Sequence, residues 1–196
     1  MKVMAPADPA LRPRTSLDDY LAAERIAAEK HEYWGGDVFA MAGASLVHNR
    51  IVANLLRELG NRLLDHACEP LPSDMKVFVP SKPGLVYPDV SVVCGEPRFL
   101  DEARDVLVNP TVIIEVLSDT TERFDRGDKL IGYRSVASIE QVALVSQHER
   151  RVEVFTRDGD RWILHDTTDD GVARLRSIDC ELPLGGVYRG VPDDAR

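Results

Sequence analysis

Thr111-Val-Ile-Ile-Glu-Val-Leu117 decides how this sequence folds. Seven residues are too few for an ordinary helix, and five of them are β-branched. An almost continuous apolar run of this length predicts a central strand covered on both faces. Glu115 interrupts that strand. An ionised carboxylate left alone in a low-dielectric interior is costly, so Glu115 needs a cation, a hydrogen-bond network or a strand-end position.

The segments around this strand alternate in type. Downstream, a helix is predicted over about 123–136, carrying Leu130, Ile131 and Tyr133, and a strand over 141–146 makes it a crossover unit. Two further strands, 151–156 and 161–165, flank Asp158-Gly159-Asp160, a strong hairpin signal, before short strands and a Gly-rich tail. Upstream, 75–79 and 86–93 read as a hairpin around Pro80-Ser-Lys-Pro-Gly84, with Pro88 at a strand edge or entry. Between Ser45 and His66 apolar residues recur at three and four, from Val47 to Leu64, the mark of an amphipathic helix. Residues 32–41 predict two short strands joined at Gly35-Gly36, and Ser16 with Asp19 opens a helix ending near Lys30. Together these give a mixed α/β fold, with residues 1–15 as an N-terminal arm and 16–196 as one domain.

The 196 residues suit one such domain, and an apolar fraction of 44% with 29% charged residues is ordinary for a globular protein. No apolar run is long enough to cross a bilayer and Met1 to Arg14 lacks a signal-peptide core, which points to the cytoplasm. Cys68, Cys94 and Cys180 are scattered and odd in number, so they read as buried free thiols. His66-Ala-Cys68 offers too few ligands for zinc. The formal charge of −9 argues against unspecific nucleic-acid binding, unless metal ions or a local basic cluster supply a positive field. There is no GxSxG elbow, HExxH helix, phosphate-cradling glycine loop or aromatic-rich strand that would suggest a single-stranded nucleic-acid platform.

Asp89, in Tyr-Pro-Asp-Val-Ser-Val-Val, is a second carboxylate at a predicted strand. Two acids on adjacent strands are enough for a hard cation such as Mg²⁺ or Mn²⁺, which keeps several waters and adds substrate phosphate oxygens. A nearby ammonium would complete a site for phosphodiester hydrolysis. Lys76, in Asp74-Met-Lys76 ahead of Asp89, is one candidate. Asp125 and Asp128 read as a solvated helix face, in preference to partners for Arg123, Arg126 and Lys129 in the same stretch.

Pro88-Asp89, a gap, Glu115-Val-Leu-Ser118, and then Asp125, Asp128, Lys129 and Tyr133 on the following helix resemble the Uma2 family, over roughly residues 16–185. That family lies in the PD-(D/E)XK restriction-endonuclease-like superfamily. The resemblance implies a restriction-endonuclease-like core with flanking helices and added β-hairpins, with Asp89 and Glu115 as metal ligands. The superfamily's usual lysine, two residues after the glutamate, is replaced here by Leu117, and Lys129 stands where the Uma2 pattern carries its lysine. A polar residue from the N-terminal part enters the site in this pattern, which makes Glu32 and His48 the remaining catalytic candidates. The implied activity is a Mg²⁺- or Mn²⁺-dependent endonuclease acting on nucleic acid, DNA first, as a homodimer. The alternatives are a non-catalytic module that binds nucleic acid or a protein, and a phosphodiesterase of small nucleotides with a closed pocket.

Overall fold

The computed structural model describes residues 14–41 and 43–192, so the expected arm over residues 1–15 falls almost wholly outside the described residues. In chain order the elements begin with α1 (Leu17–Glu24), β1 (His31–Trp34), β2 (Asp37–Ala40), α2 (Leu46–Arg62), β3 (Cys68–Pro72), β4 (Lys76–Val79), β5 (Gly84–Val86) and β6 (Val90–Cys94). There follow β7 (Val106–Leu107), β8 (Val112–Val116), α3 (Glu122–Phe124), a π-helical turn (Asp125–Lys129), α4 (Leu130–Ser135) and β9 (Gln141–Val145). The chain closes with β10 (Arg151–Asp158), β11 (Arg161–Thr168), β12 (Val172–Leu175), β13 (Cys180–Pro183) and α5 (Leu184–Val187).

β8 lies inside a six-stranded sheet of order β11-β10-β9-β8-β6-β3, parallel to β9 across the helical crossover and antiparallel to β6. Both faces of β8 are covered. Val112, Ile114 and Val116 pack with Ile51, Leu55 and Leu59 of α2 and with Leu184 and Tyr188. Ile113 and Leu117 face the other way, toward Leu130, Tyr133 and a five-stranded sheet of order β2-β1-β5-β4-β7. Glu115 alternates with the first set, on the face of Ile113 and Leu117, so its carboxylate emerges where α4 and β1 meet the large sheet. Gly132 permits that meeting, since a Cβ there would lie 2.5 Å from the Trp34 ring.

Local chemistry explains the ends of the elements. Ser16 caps α1 through the Asp19 N–H, and Ser45 caps α2 through the His48 N–H. Gly35 and Gly36, at φ of 59° and 100°, make the β1–β2 turn in the left-handed region that glycine tolerates. α1 stops at Glu24 rather than near Lys30, because the Glu24 carboxylate turns inward to accept the His31 N–H and the Tyr87 hydroxyl.

Two further expectations are corrected. The predicted strand over 86–93 divides: β5 ends at Val86 in the smaller sheet, and β6 starts at Val90 in the larger one. Pro88 has no N–H for a ladder and restricts Tyr87, so the chain crosses between sheets at Tyr87-Pro88-Asp89. The second correction concerns the cysteines. Pro70 and Pro72 hide an edge strand, β3, whose register places Cys68 opposite Cys94, and the two form a disulfide. Cys180 is free and buried, as expected. Among the described residues, no helix is long and apolar enough to cross a membrane.

Candidate functional site

The crossing at Tyr87-Pro88-Asp89 and the end of β8 build the centre of the site. Val90 pairs with Ile114, so Asp89 meets Glu115 one step further along the same antiparallel register. Each acid is held by backbone of the other's strand. The Asp89 N–H donates to Glu115 Oε2 at 3.3 Å, and the Val116 N–H donates to Asp89 Oδ2 at 2.7 Å.

Glu115 Oε1 takes its partners from the helical crossover. The Tyr133 hydroxyl donates to it at 2.5 Å, and Lys129 Nζ stands 3.4 Å away. Lys129 Nζ also lies 2.9 Å from Glu32 Oε1 on β1 and 3.3 Å from Asp125 Oδ1. The π-helical turn between Asp125 and Lys129 buries both residues, while Asp128 is exposed. Such turns, widened by one residue, are frequent at functional sites. Glu32 is itself anchored, since its Oε1 accepts the Tyr87 N–H at 3.0 Å.

The third side comes from the start of α2. His48 Nε2 approaches Asp89 Oδ2 at 3.2 Å. The Ser45 hydroxyl accepts the His48 N–H at 3.0 Å and donates to Gln147 Oε1 at 2.7 Å, and Gln147 Nε2 donates to the Leu117 carbonyl at 2.6 Å. α2 is thereby tied to the loops that follow β8 and β9.

One buried ammonium thus serves several carboxylates. Burial works against the charge on Lys129, but Glu115, Glu32 and Asp125 outweigh it and hold Lys129 protonated, above the usual lysine range. Glu115 is pushed above the usual carboxylate range by burial, eased by Lys129 and raised further by Asp125, Asp89 and Glu32. Burial also opposes a charge on His48, yet the hydrogen bond and charge of Asp89 prevail and raise its pKa. Desolvation first, and then Glu115, keeps the Tyr133 phenol protonated and donating.

These groups line a cleft of about 1200 Å³. Among the described residues its walls carry six carboxylates (Glu29, Glu32, Asp89, Glu115, Asp119, Asp125) against two lysines and two histidines. Among the described residues, no three His, Cys, Asp or Glu side chains form a ready-made metal cage. The arrangement suits a hydrated hard cation held by Asp89 and Glu115, because such ions use one or two carboxylates with waters filling the remaining positions. The surplus of negative charge in a buried setting favours the same occupant.

Of the residues singled out from sequence, Asp89, Glu115, Lys129, Glu32 and His48 come together at this cleft. Lys76 does not join them. Its Nζ pairs with Asp105 at 2.9 Å and lies 5.3 Å from the Tyr87 ring centroid. Asp125 corrects the solvated-face reading, since only Asp128 is solvated. The i to i+4 spacing of Asp125 and Lys129 is the available signal for that pair. Gln147, in a polar stretch after β9, gives none.

Comparison with known proteins follows the same line. A family profile described as "Uma2: Putative restriction endonuclease" matches residues 17–185. The protein named "Uncharacterized protein sll1609" from Synechocystis sp. is 37% identical over 147 residues, covering 74% of this chain and 83% of that protein. "Uncharacterized protein slr1290" from the same organism is 33% identical over 181 residues, covering 91% and 94%. A crystal structure titled as that of a putative nuclease belonging to DUF820, from Anabaena variabilis, superposes with a TM-score of 0.73. That superposition covers 89% of this chain and 97% of the other at 15% identity, a likeness of fold.

Proposed function

Since this chain belongs to the Uma2 family, we propose that it is a metal-dependent endonuclease that hydrolyses phosphodiester bonds of nucleic acid. The observation that carries this reading is the imbalance at the cleft, where Glu32, Glu115 and Asp125 share the buried ammonium of Lys129 and Asp89 lies against Glu115. A buried surplus of carboxylates is unfavourable on its own, and a divalent cation offsets it.

In this reading Asp89 and Glu115 hold Mg²⁺ or Mn²⁺. The cation would polarise the scissile phosphate and counter the charge that builds on its oxygens. Tyr133 and Lys129 occupy Glu115 Oε1 and leave Oε2 turned toward Asp89. His48 holds Asp89 Oδ2 from the opposite side. Lys129, kept charged by its carboxylates and positioned by Glu32, is placed to offset charge developing at phosphorus and to orient an attacking water. It supplies from the helix the ammonium that Leu117 cannot.

Two observations weigh against the alternatives. A non-catalytic module gains support if Lys129 lies far from the acidic pair, whereas it stands 3.4 Å from Glu115. An enzyme of small nucleotides calls for a closed pocket, whereas this cleft is rimmed by the exposed Phe39, Met41, Asp119, Thr120 and His148. Incubating the protein with plasmid, linear duplex and single-stranded substrates in Mg²⁺ or Mn²⁺ tests the activity. Cleavage that disappears in Asp89→Ala and Glu115→Ala is the expected result. If no nucleic acid is cut, and titration calorimetry shows equal Mn²⁺ binding by wild type and both variants, the reading is wrong.

A further inference from the structure

The mouth of the cleft has a chemistry that metal binding does not use. Phe39 of β2 stands directly opposite Glu32 of β1 in the antiparallel register, so the two side chains leave the hairpin on one face as close neighbours. Glu32 in turn holds Lys129. Phe124 lies against the same ammonium, with Lys129 Nζ 5.7 Å from its ring centroid, and its centroid is 6.2 Å from that of Phe39. Trp34 braces Phe124 edge-on at 5.4 Å. Among the described residues Phe39 is less covered: it is 49% exposed, on the outer strand of its sheet, with Met41 38% exposed beside it.

Among the described residues, the basic groups lining the cleft are already engaged. Lys129 sits among three carboxylates, His48 on Asp89, His148 on Asp119 and Lys30 on Asp74. Affinity from neutralising phosphates needs lysines and arginines that are not spent on acids, and a chain of net charge −9 has few to offer here. An exposed aromatic face lining the same cleft as the acidic pair offers another source, because every nucleobase has a π-face to stack. The sequence hides this surface, since its two phenylalanines come from a strand and a helix far apart along the chain, at positions 39 and 124.

We propose that Phe39 is the stacking surface for a nucleobase next to the bond to be cut, which makes single-stranded or locally unpaired nucleic acid the substrate class. Bases inside a duplex are stacked on both faces and have none free for Phe39. The proposal rests on the endonuclease reading above for the bond that is cut, and on Phe39 itself for the strand that is held.

The test uses fluorescein-labelled DNA and RNA oligonucleotides, single-stranded and annealed. Binding is measured in Ca²⁺ and cleavage in Mg²⁺, across a salt series. Wild type should bind single strands at least roughly tenfold more tightly than duplex, with a shallow salt dependence. Phe39→Ala should lose roughly tenfold in affinity, and Phe39→Trp should restore it. The DNA and RNA arms show which sugar the cleft accepts. Unchanged binding by Phe39→Ala, or duplex bound as well as single strands, overturns the proposal; if Glu115→Gln still abolishes cleavage, the endonuclease reading survives. Single strands held through Phe39 but never cut have the opposite meaning: stacking stands and the endonuclease reading falls. Neither binding nor cleavage sinks both. Sedimentation provides the last arm: a dimer that Phe39→Ala converts to monomer, at unchanged affinity per chain, makes a second copy the occupant of this face and overturns stacking.

Discussion

Tyr87 stands between two ion clusters of opposite character. Its N–H donates to Glu32 on the cleft side, and its ring lies under Lys76 on the other. On the far side, Arg25 and Lys76 meet Asp101 and Asp105, two cations for two carboxylates. On the cleft side, among the described residues, Lys129 alone faces Glu32, Glu115 and Asp125, with Asp89 bound to a histidine. The first cluster is complete within the chain's own residues and joins α1 to the loop before β7. The second is short of positive charge while being the more buried, an arrangement that folding alone would not favour. Two lysines of similar burial therefore stand in different settings: Lys76 closes a structural clasp, and Lys129 is outnumbered by the carboxylates it meets.

The strongest way to break this comparison is Glu115→Gln, which removes an ionisable carboxyl from the unbalanced side while preserving shape. Cleavage should fall by at least roughly 10³-fold, corresponding to several kcal/mol of metal-derived stabilisation. Stability in the absence of divalent ions should stay the same or rise, because the crowding of carboxylates is relieved. Urea denaturation in EDTA beside a cleavage assay reads both. A variant that loses stability along with activity would mean that Glu115 is an ordinary structural ion-pair partner.

Lys129→Met acts in the opposite direction on the same cluster. It leaves buried carboxylates without their ammonium, at a cost of about 3–5 kcal/mol. The urea midpoint should drop accordingly, and Mg²⁺ should recover part of the loss by supplying the missing charge. An equal loss with and without Mg²⁺ would argue that the acids do not hold the ion. Asp105→Asn is the matching test of the balanced cluster, removing the carboxylate shared by Arg25 and the buried Lys76. It should cost about 1–2 kcal/mol and leave the cleavage rate of the folded protein unchanged.

The two clusters are not equally legible in the sequence. Glu115 stands out because five aliphatic residues surround it in a strand-like run, where an acid has no ordinary place. Lys129, Glu32 and His48 become candidates through a family pattern, since lysines on helices are ordinarily solvated and nothing local distinguishes this one. Asp125 looks solvated because it stands in a charge-rich helical stretch, where acids ordinarily face water, and no local signal marks the π-helical turn that buries it. The division of residues 86–93 between two sheets is hidden as well. Composition there is strand-like on both sides of Pro88, and which sheet each half joins depends on distant partners. The Cys68–Cys94 pairing depends likewise on a register between β3 and β6 that no local signal carries. The balanced cluster leaves no trace at all, for Arg25, Asp101 and Asp105 look like surface charges until α1 is placed against the loop before β7.

Acid offers the mildest test and separates the clusters without mutation of the cleft. The hydrogen bond from Arg25, with Lys76 adding to it against a smaller opposing effect of burial, lowers the Asp105 pKa to about 2. In the unfolded chain the same carboxyl titrates near its ordinary value of about 4, so folding favours its ionised form. Asp105 therefore stabilises the fold fully above about pH 4, and this contribution is lost as pH falls toward about 2. For a partly exposed pair it amounts to on the order of 1 kcal/mol. A comparison of urea midpoints between about pH 5 and about pH 2.5 should show wild type losing more stability than Asp105→Asn, which has no such proton to take up. Parallel curves for the two proteins would mean that the Arg25 and Lys76 contacts contribute little, and that the clasp is held by the packing of α1 rather than by its charges.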